Sequence, residues 1–137
     1  MCEFVLHRTN EDNQPSYWLL EAKSSSPSPS DNEKFPDYIT NITEKMDNAL
    51  SLLFALMLKR HPGHSVQLPR SFAATHIPAC SIRFVLVLPD HPKHALEPIK
   101  RALEKTLDKT LSIWNLGANS VVVLNKELAL RHTLIID

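Results

Sequence analysis

The sequence predicts a single α/β domain: a mixed β-sheet with a leading hairpin and helices on both faces. Three patterns predict it. Two short alternating runs, 2–8 and 16–23, flank a polar stretch, as the two arms of a hairpin do. Two almost unbroken apolar runs, 81–89 and 120–125, have the composition of strands covered on both sides. Elsewhere apolar residues recur at three- and four-residue steps, the period of an amphipathic helix.

Taken in order, "CEFVLHR" (2–8) is the first strand, "TNEDNQP" (9–15) turns the chain, and 16–23 return as the second strand. The Ser/Pro-rich residues 24–35 are too polar to pack and read as a flexible connection. A long helix is expected from Asp37 to about Arg60, with Ile39, Ile42, Met46, Leu50, Leu53, Phe54 and Met57 on its apolar stripe. "HPGH" (61–64) stops it with a proline and a glycine, and 65–80 are irregular. "SIRFVLVLP" (81–89) follows as a central strand. A second helix is expected over Ala95–Trp114, with Leu96, Ile99, Leu103, Leu107 and Leu111 on one stripe. Pro98 falls in its first turn, where a missing N–H costs little. "SVVVLN" (120–125) is a further buried strand, and "KELALRH" a short helix before the tail "TLIID".

The 137 residues suffice for one domain with a real core, and 43% hydrophobic residues exclude wholesale disorder. Fifteen basic residues balance fifteen acidic ones, so nucleic-acid binding would need a local patch. Cys2 and Cys80 form neither a metal-type spacing nor a disulfide framework and fit a reducing, cytoplasmic setting. Two glycines exclude a Gly-rich phosphate loop. The first residues lack the features of a signal peptide. The most apolar run, Ala49–Leu58, is about half the roughly 20 residues a membrane span needs. A soluble protein without a membrane partner is expected.

One stretch does not fit a purely structural strand. In "YWLLEAKSS" (17–25) a run built for burial ends in a carboxylate, Glu21, and an ammonium, Lys23, on the same face. In one even hairpin register Glu3 lies opposite Glu21 and Val5 opposite Leu19; in the next, Glu3 lies opposite Lys23. Either register gathers Glu3, Glu21 and Lys23 on one face and leaves Phe4, Leu6, Trp18, Leu20 and Ala22 on the other. Two carboxylates on adjacent strands repel unless a positive charge sits between them. Mg²⁺ or Mn²⁺ answers that need, with Glu3, Glu21 and the Ala22 carbonyl as ligands. Such an ion polarises a phosphodiester and activates water, and Lys23 would orient that water or stabilise developing charge.

An acidic residue on one strand, then Glu-x-Lys at the end of its hairpin partner, resembles the PD-(D/E)XK nuclease superfamily. "CEFVLHR…YWLLEAKSS" supplies Glu3 as the first acid, Glu21 as the second and Lys23 as the lysine. The resemblance implies a restriction-endonuclease-like fold, a Mg²⁺ or Mn²⁺ cofactor, a DNA substrate, and Glu21 and Lys23 as catalytic residues. Lys45 and Asn48, on the helix after the motif, are candidates to support the site. The family usually carries aspartate at the first acidic position, where this chain has Glu3. Its usual leading helix and strand have no counterpart before the hairpin. The resemblance therefore implies a chain shortened at its N-terminus, or a homodimer or partner chain that completes the sheet.

Other constellations read as structural. His61 with His64, and Asp90 with His91 and His94, have short spacings but no cysteine partners, and are expected to be solvated. Cys80 near His76 reads as a small buried cysteine. Lys100, Arg101, Lys105 and Lys109 alternate with Glu97, Glu104 and Asp108 as on a solvated helix face. Trp18 and Trp114 read as core or interface aromatics. Three functions follow: a metal-dependent nuclease, a non-catalytic nucleic-acid-binding or assembly subunit of the same fold, or an α/β interaction domain in which Glu-x-Lys is accidental.

Overall fold

A computed structural model describes residues 4–9, 15–58, 60, 81–117 and 119–132, with 4–9 and Pro15 described by their backbone. Strands β1 (Phe4–Thr9), β2 (Pro15–Ala22), β3 (Ser81–Val87) and β4 (Val121–Leu124) form one sheet in sequence order. β1 pairs antiparallel with β2; β2, β3 and β4 run parallel. The sheet is mixed, as expected. The hairpin takes the register with Val5 opposite Leu19 and His7 opposite Tyr17. That choice keeps the odd-numbered residues of β2 on one face.

The odd face is the thicker side of the core. Tyr17 and Leu19 of β2, Ile82, Phe84 and Leu86 of β3, and Val121 and Val123 of β4 are buried there. Helix α1 (Lys34–Met57) covers them with Ile39, Ile42, Met46, Leu50 and Leu53, the stripe the spacing predicts. Helix α2 (Leu96–Thr106) adds Leu96, Ile99 and Leu103. The even face is thinner. Trp18, Leu20, Val85, Val87 and Leu124 pack there with Ala129 of helix α4 (Lys126–Arg131). Helices therefore cover both faces, and the near-continuous apolar character of 81–88 follows from that double cover.

Three boundaries differ from expectation for local reasons. α1 starts at Lys34 because Asp31 Oδ1 accepts the backbone N–H groups of Glu33 and Lys34, capping the helix before Asp37. The second expected helix, Ala95–Trp114, is divided at Leu107 into α2 and α3 (Asp108–Ile113), after a short 3₁₀ turn at Lys93–Ala95. The Thr106 hydroxyl, just before the break, points back at the carbonyls of Ala102 and Leu103, while the Leu107 N–H still donates to Leu103 O. The Thr106 hydroxyl also meets that of Thr43 of α1 at 2.7 Å, a hydrogen bond across the α1–α2 contact. β3 ends at Val87, although the Leu88 N–H still donates to Leu124 O.

The ends of β3 and β4 are tied by Asn125. Its Oδ1 accepts from Leu128 N at the start of α4, and its Nδ2 donates to His91 O. His91 thus belongs to a turn, with His94 exposed beside it. His61, His64, His76, Cys2, Cys80 and the tail lie outside the described residues. Trp18 is buried, as expected for a core aromatic, whereas Trp114 stands 46% exposed against Phe54. Among the described residues, no helix is long and apolar enough to cross a membrane.

Candidate functional site

Glu21 is the last inward-facing residue of β2, at the carboxyl end of the parallel strands, where open α/β sheets usually bind ligands. Its neighbours Leu19 and, on β3, Leu86 are fully buried, so the carboxylate is drawn down with them to 2% exposure. An isolated charge at such a depth would be costly. Two lysines compensate it. Lys23 Nζ lies 3.3 Å and Lys45 Nζ 3.1 Å from the same oxygen, Oε1. Both lysine side chains are about one-third exposed, so their ammonium groups bridge the buried carboxylate to the surface.

Each lysine is placed by a different rule. The Lys23 backbone N–H donates to Val87 O, extending the β2–β3 ladder by one residue and keeping Lys23 on the Glu21 face. Lys45 lies on α1 between the buried Ile42 and Met46, turned to the rim of the stripe that packs on β2. Its amine donates to Glu21 Oε1. Of the residues expected to form the site, the structure brings Glu21, Lys23 and Lys45 together. Asn48 is exposed one turn further along α1 and makes no hydrogen bond to Glu21 among the described residues. Glu3 lies outside the described residues.

The second carboxylate oxygen is the unusual atom. Glu21 Oε2 is buried and has no hydrogen-bond partner among the described residues. The Tyr38 hydroxyl, on the first part of α1, shares that condition. Burial raises the Tyr38 pKa above its ordinary value; the Ser26 side chain lowers it and the charge on Glu21 raises it further. The phenol therefore stays protonated and able to donate at neutral pH. Native proteins seldom leave a buried carboxylate oxygen unpaired.

Tyr38 escaped the sequence reading, although its spacing was informative. It precedes Lys45 by two helical turns, so both fall on one side of α1, flanking the Ile39–Ile42–Met46 stripe. The signal was a pair of polar tips at the edge of an apolar face.

The residues present match part of what a hard cation requires. Mg²⁺ binds through one or two carboxylates and keeps several waters. Glu21 Oε2 offers one buried, unpartnered carboxylate oxygen, and the Ala22 carbonyl follows it in the chain. Among the described residues no group of three or more His, Cys, Asp or Glu side chains comes together. A separate cleft of about 350 Å³ lies beside β4, lined by Arg83, Lys93, Leu96, Lys100 and Val122 among others, and includes none of the Glu21 cluster. The buried charge of Glu21 lies outside that cleft. No protein-family model, curated protein or solved structure was found to match the chain.

Proposed function

We propose that the chain is a Mg²⁺-dependent nuclease domain of the PD-(D/E)XK type, with DNA as its substrate. One observation carries this reading: a nearly fully buried Glu21 has one oxygen held by two lysines and the other without a hydrogen-bond partner among the described residues. A carboxylate kept only for stability would have both oxygens satisfied. A carboxylate kept for a ligand needs one oxygen in reserve.

Each residue then has a task. Glu21 Oε2 and the Ala22 carbonyl would hold the cation, with Glu3 as a further carboxylate. The bound cation supplies Lewis-acid polarisation of the phosphodiester and a lowered pKa for the attacking water. Lys23 and Lys45 place positive charge beside Glu21 at the edge of the site, where it would draw a phosphate anion toward the cation. Lys23, on the strand end, orients the water; Lys45 holds the Glu21 carboxylate from the helix side.

The test is cleavage of plasmid and single-stranded DNA in Mg²⁺ or Mn²⁺ by the wild type, Glu21→Ala and Lys23→Ala. The expected result is cleavage by the wild type and a loss of at least a hundredfold in each variant, in the range of removing a charge-stabilising group. Equal activity in all three would end the proposal.

A second reading has an observation of its own. The two lysines already neutralise Glu21, which suits a non-catalytic nucleic-acid-binding or assembly subunit of the same fold, acting as a homodimer or with a partner chain. DNA binding unaffected by Mg²⁺ and unaccompanied by cleavage would select it.

A further inference from the structure

The cleft beside β4 touches Val121, Val122 and Val123, three consecutive residues of one strand. Neighbouring strand residues point to opposite faces, so a cleft that meets all three lies along the strand's edge. That edge is an outer one: the sheet runs β1-β2-β3-β4, and β4 has no strand on its far side among the described residues. The phase of the ladder shows what the edge presents. Ser120 O accepts from the Phe84 N–H and Leu124 O from the Leu88 N–H, so by the two-residue period Val122 also faces β3. Val121 and Val123 therefore turn their N–H and C=O groups away from the sheet, while their side chains are buried in the core.

The walls of the cleft are apolar at the base and basic at the rim. Leu96 and Lys100 of α2, with Lys93 just before it, line one side; Leu128 of α4 and His132 at its end line the other. Arg83 of β3 joins them, its guanidinium held 5.4 Å from the centre of the Trp18 ring. Among the described residues Arg83, Lys93 and Lys100 form no ion pair, and the one carboxylate of the lining, Glu97, lies 3.3 Å from Arg101.

We infer that the β4 edge is a docking site for an extended acidic segment of another protein, which joins the sheet as an added strand. The main chain of the segment pairs with Val121 and Val123, as in other cases of strand addition to an open edge. Its apolar side chains rest on Leu96, Val122 and Leu128, and its carboxylates meet Arg83, Lys93 and Lys100. A free phosphate or a nucleic-acid strand would use the cations alone. Only a polypeptide main chain offers donors and acceptors at the spacing of the outward Val121 and Val123 groups. The cleft includes none of the Glu21 cluster, so this inference does not depend on the cation site proposed above.

Amide NMR on the full chain tests this with a short capped peptide of alternating glutamate and valine. Its lysine–valine counterpart, inorganic phosphate and a single-stranded oligonucleotide are the comparisons. The glutamate peptide is expected to bind and the lysine peptide not to. On binding, the Val121 and Val123 amides should exchange with solvent about tenfold more slowly or better, whereas the Val122 amide, already facing β3, should change little. Lys93→Glu/Lys100→Glu should weaken the peptide by about tenfold or more. Lys105→Glu/Lys109→Glu, the same change of net charge outside the cleft, should leave its affinity within about twofold. Circular dichroism checks the folding of both variants, and the exchange measurement on the wild type decides without them. No binding of the glutamate peptide, binding that leaves both amides unprotected, or protection of both amides before any peptide is added overturns the inference. Phosphate or the oligonucleotide shifting these residues where the peptide does not would make the cleft an anion site and overturn it as well.

Discussion

Replacing Glu21 by methionine should make the metal-free protein more stable while abolishing its function. The substitution removes both oxygens from a position that is 2% exposed and leaves a side chain of similar length and flexibility. The unpartnered Oε2 costs about 1–3 kcal/mol while it stays buried and unsatisfied. Against this stand two ion pairs with Lys23 and Lys45, whose side chains are 33% and 35% exposed. Water reaches both lysines, so each pair contributes about 0.2–1 kcal/mol, and both can swing outward once the carboxylate is gone. The balance favours Glu21→Met by about 1 kcal/mol, or a rise of roughly 4 °C in Tm for a domain of this size. Urea unfolding analysed by linear extrapolation, with a parallel thermal melt, measures the difference. Destabilisation by more than about 1 kcal/mol would refute the reasoning: it would mean that the carboxylate holds β2 and α1 together and that its removal strands two lysine charges.

Two further substitutions probe the frame around the site. Thr43→Val removes one partner of the Thr43–Thr106 hydrogen bond at the α1–α2 contact and should cost about 1 kcal/mol in urea unfolding, with a Thr43→Val/Thr106→Val pair costing less than the sum of the singles. Tyr38→Phe should flatten the alkaline limb of stability. The folded-state pKa of Tyr38 lies above the ordinary 10.0, so the unfolded chain loses its proton first as pH rises. The wild type therefore loses stability from about that pH up to the folded value, and urea midpoints between pH 9 and 11 in the two proteins measure the difference.

The fold was legible where periodicity speaks for itself. The three- and four-residue steps of α1 foretold its buried stripe, whereas 16–21 of β2 are buried on both faces, which period-two alternation does not foretell. Alternation did put Glu21 on the face of Tyr17 and Leu19. That Lys45 meets Glu21 was approachable, because α1 follows the strand directly and Lys45 flanks its buried stripe. The division of the second helix at Leu107 was not. It falls beside Thr106, whose hydroxyl meets Thr43 across the α1–α2 contact, and periodicity does not encode such a tertiary contact. The same holds for Tyr38. Its aromatic ring suits a helix flank, and only the packing of α1 shows that its hydroxyl is buried, where burial and the charge of Glu21 raise its pKa.

The parallel pairing of β2 with β3 has a consequence for the surroundings of Glu21. Glu21, Lys23, Tyr38 and Lys45 all lie within one stretch of chain and meet once α1 settles on β2. β3 pairs with β2 from about sixty residues further along the chain, so its contacts carry a larger chain-entropy cost than the packing of α1 on β2. Without β3, Glu21 lacks its neighbour Leu86. The charged groups are thus near neighbours in sequence, but the dry surroundings of Glu21 depend on a strand from far along the chain. A fragment ending at Met57 would contain all four groups and leave Glu21 an ordinary carboxylate in water.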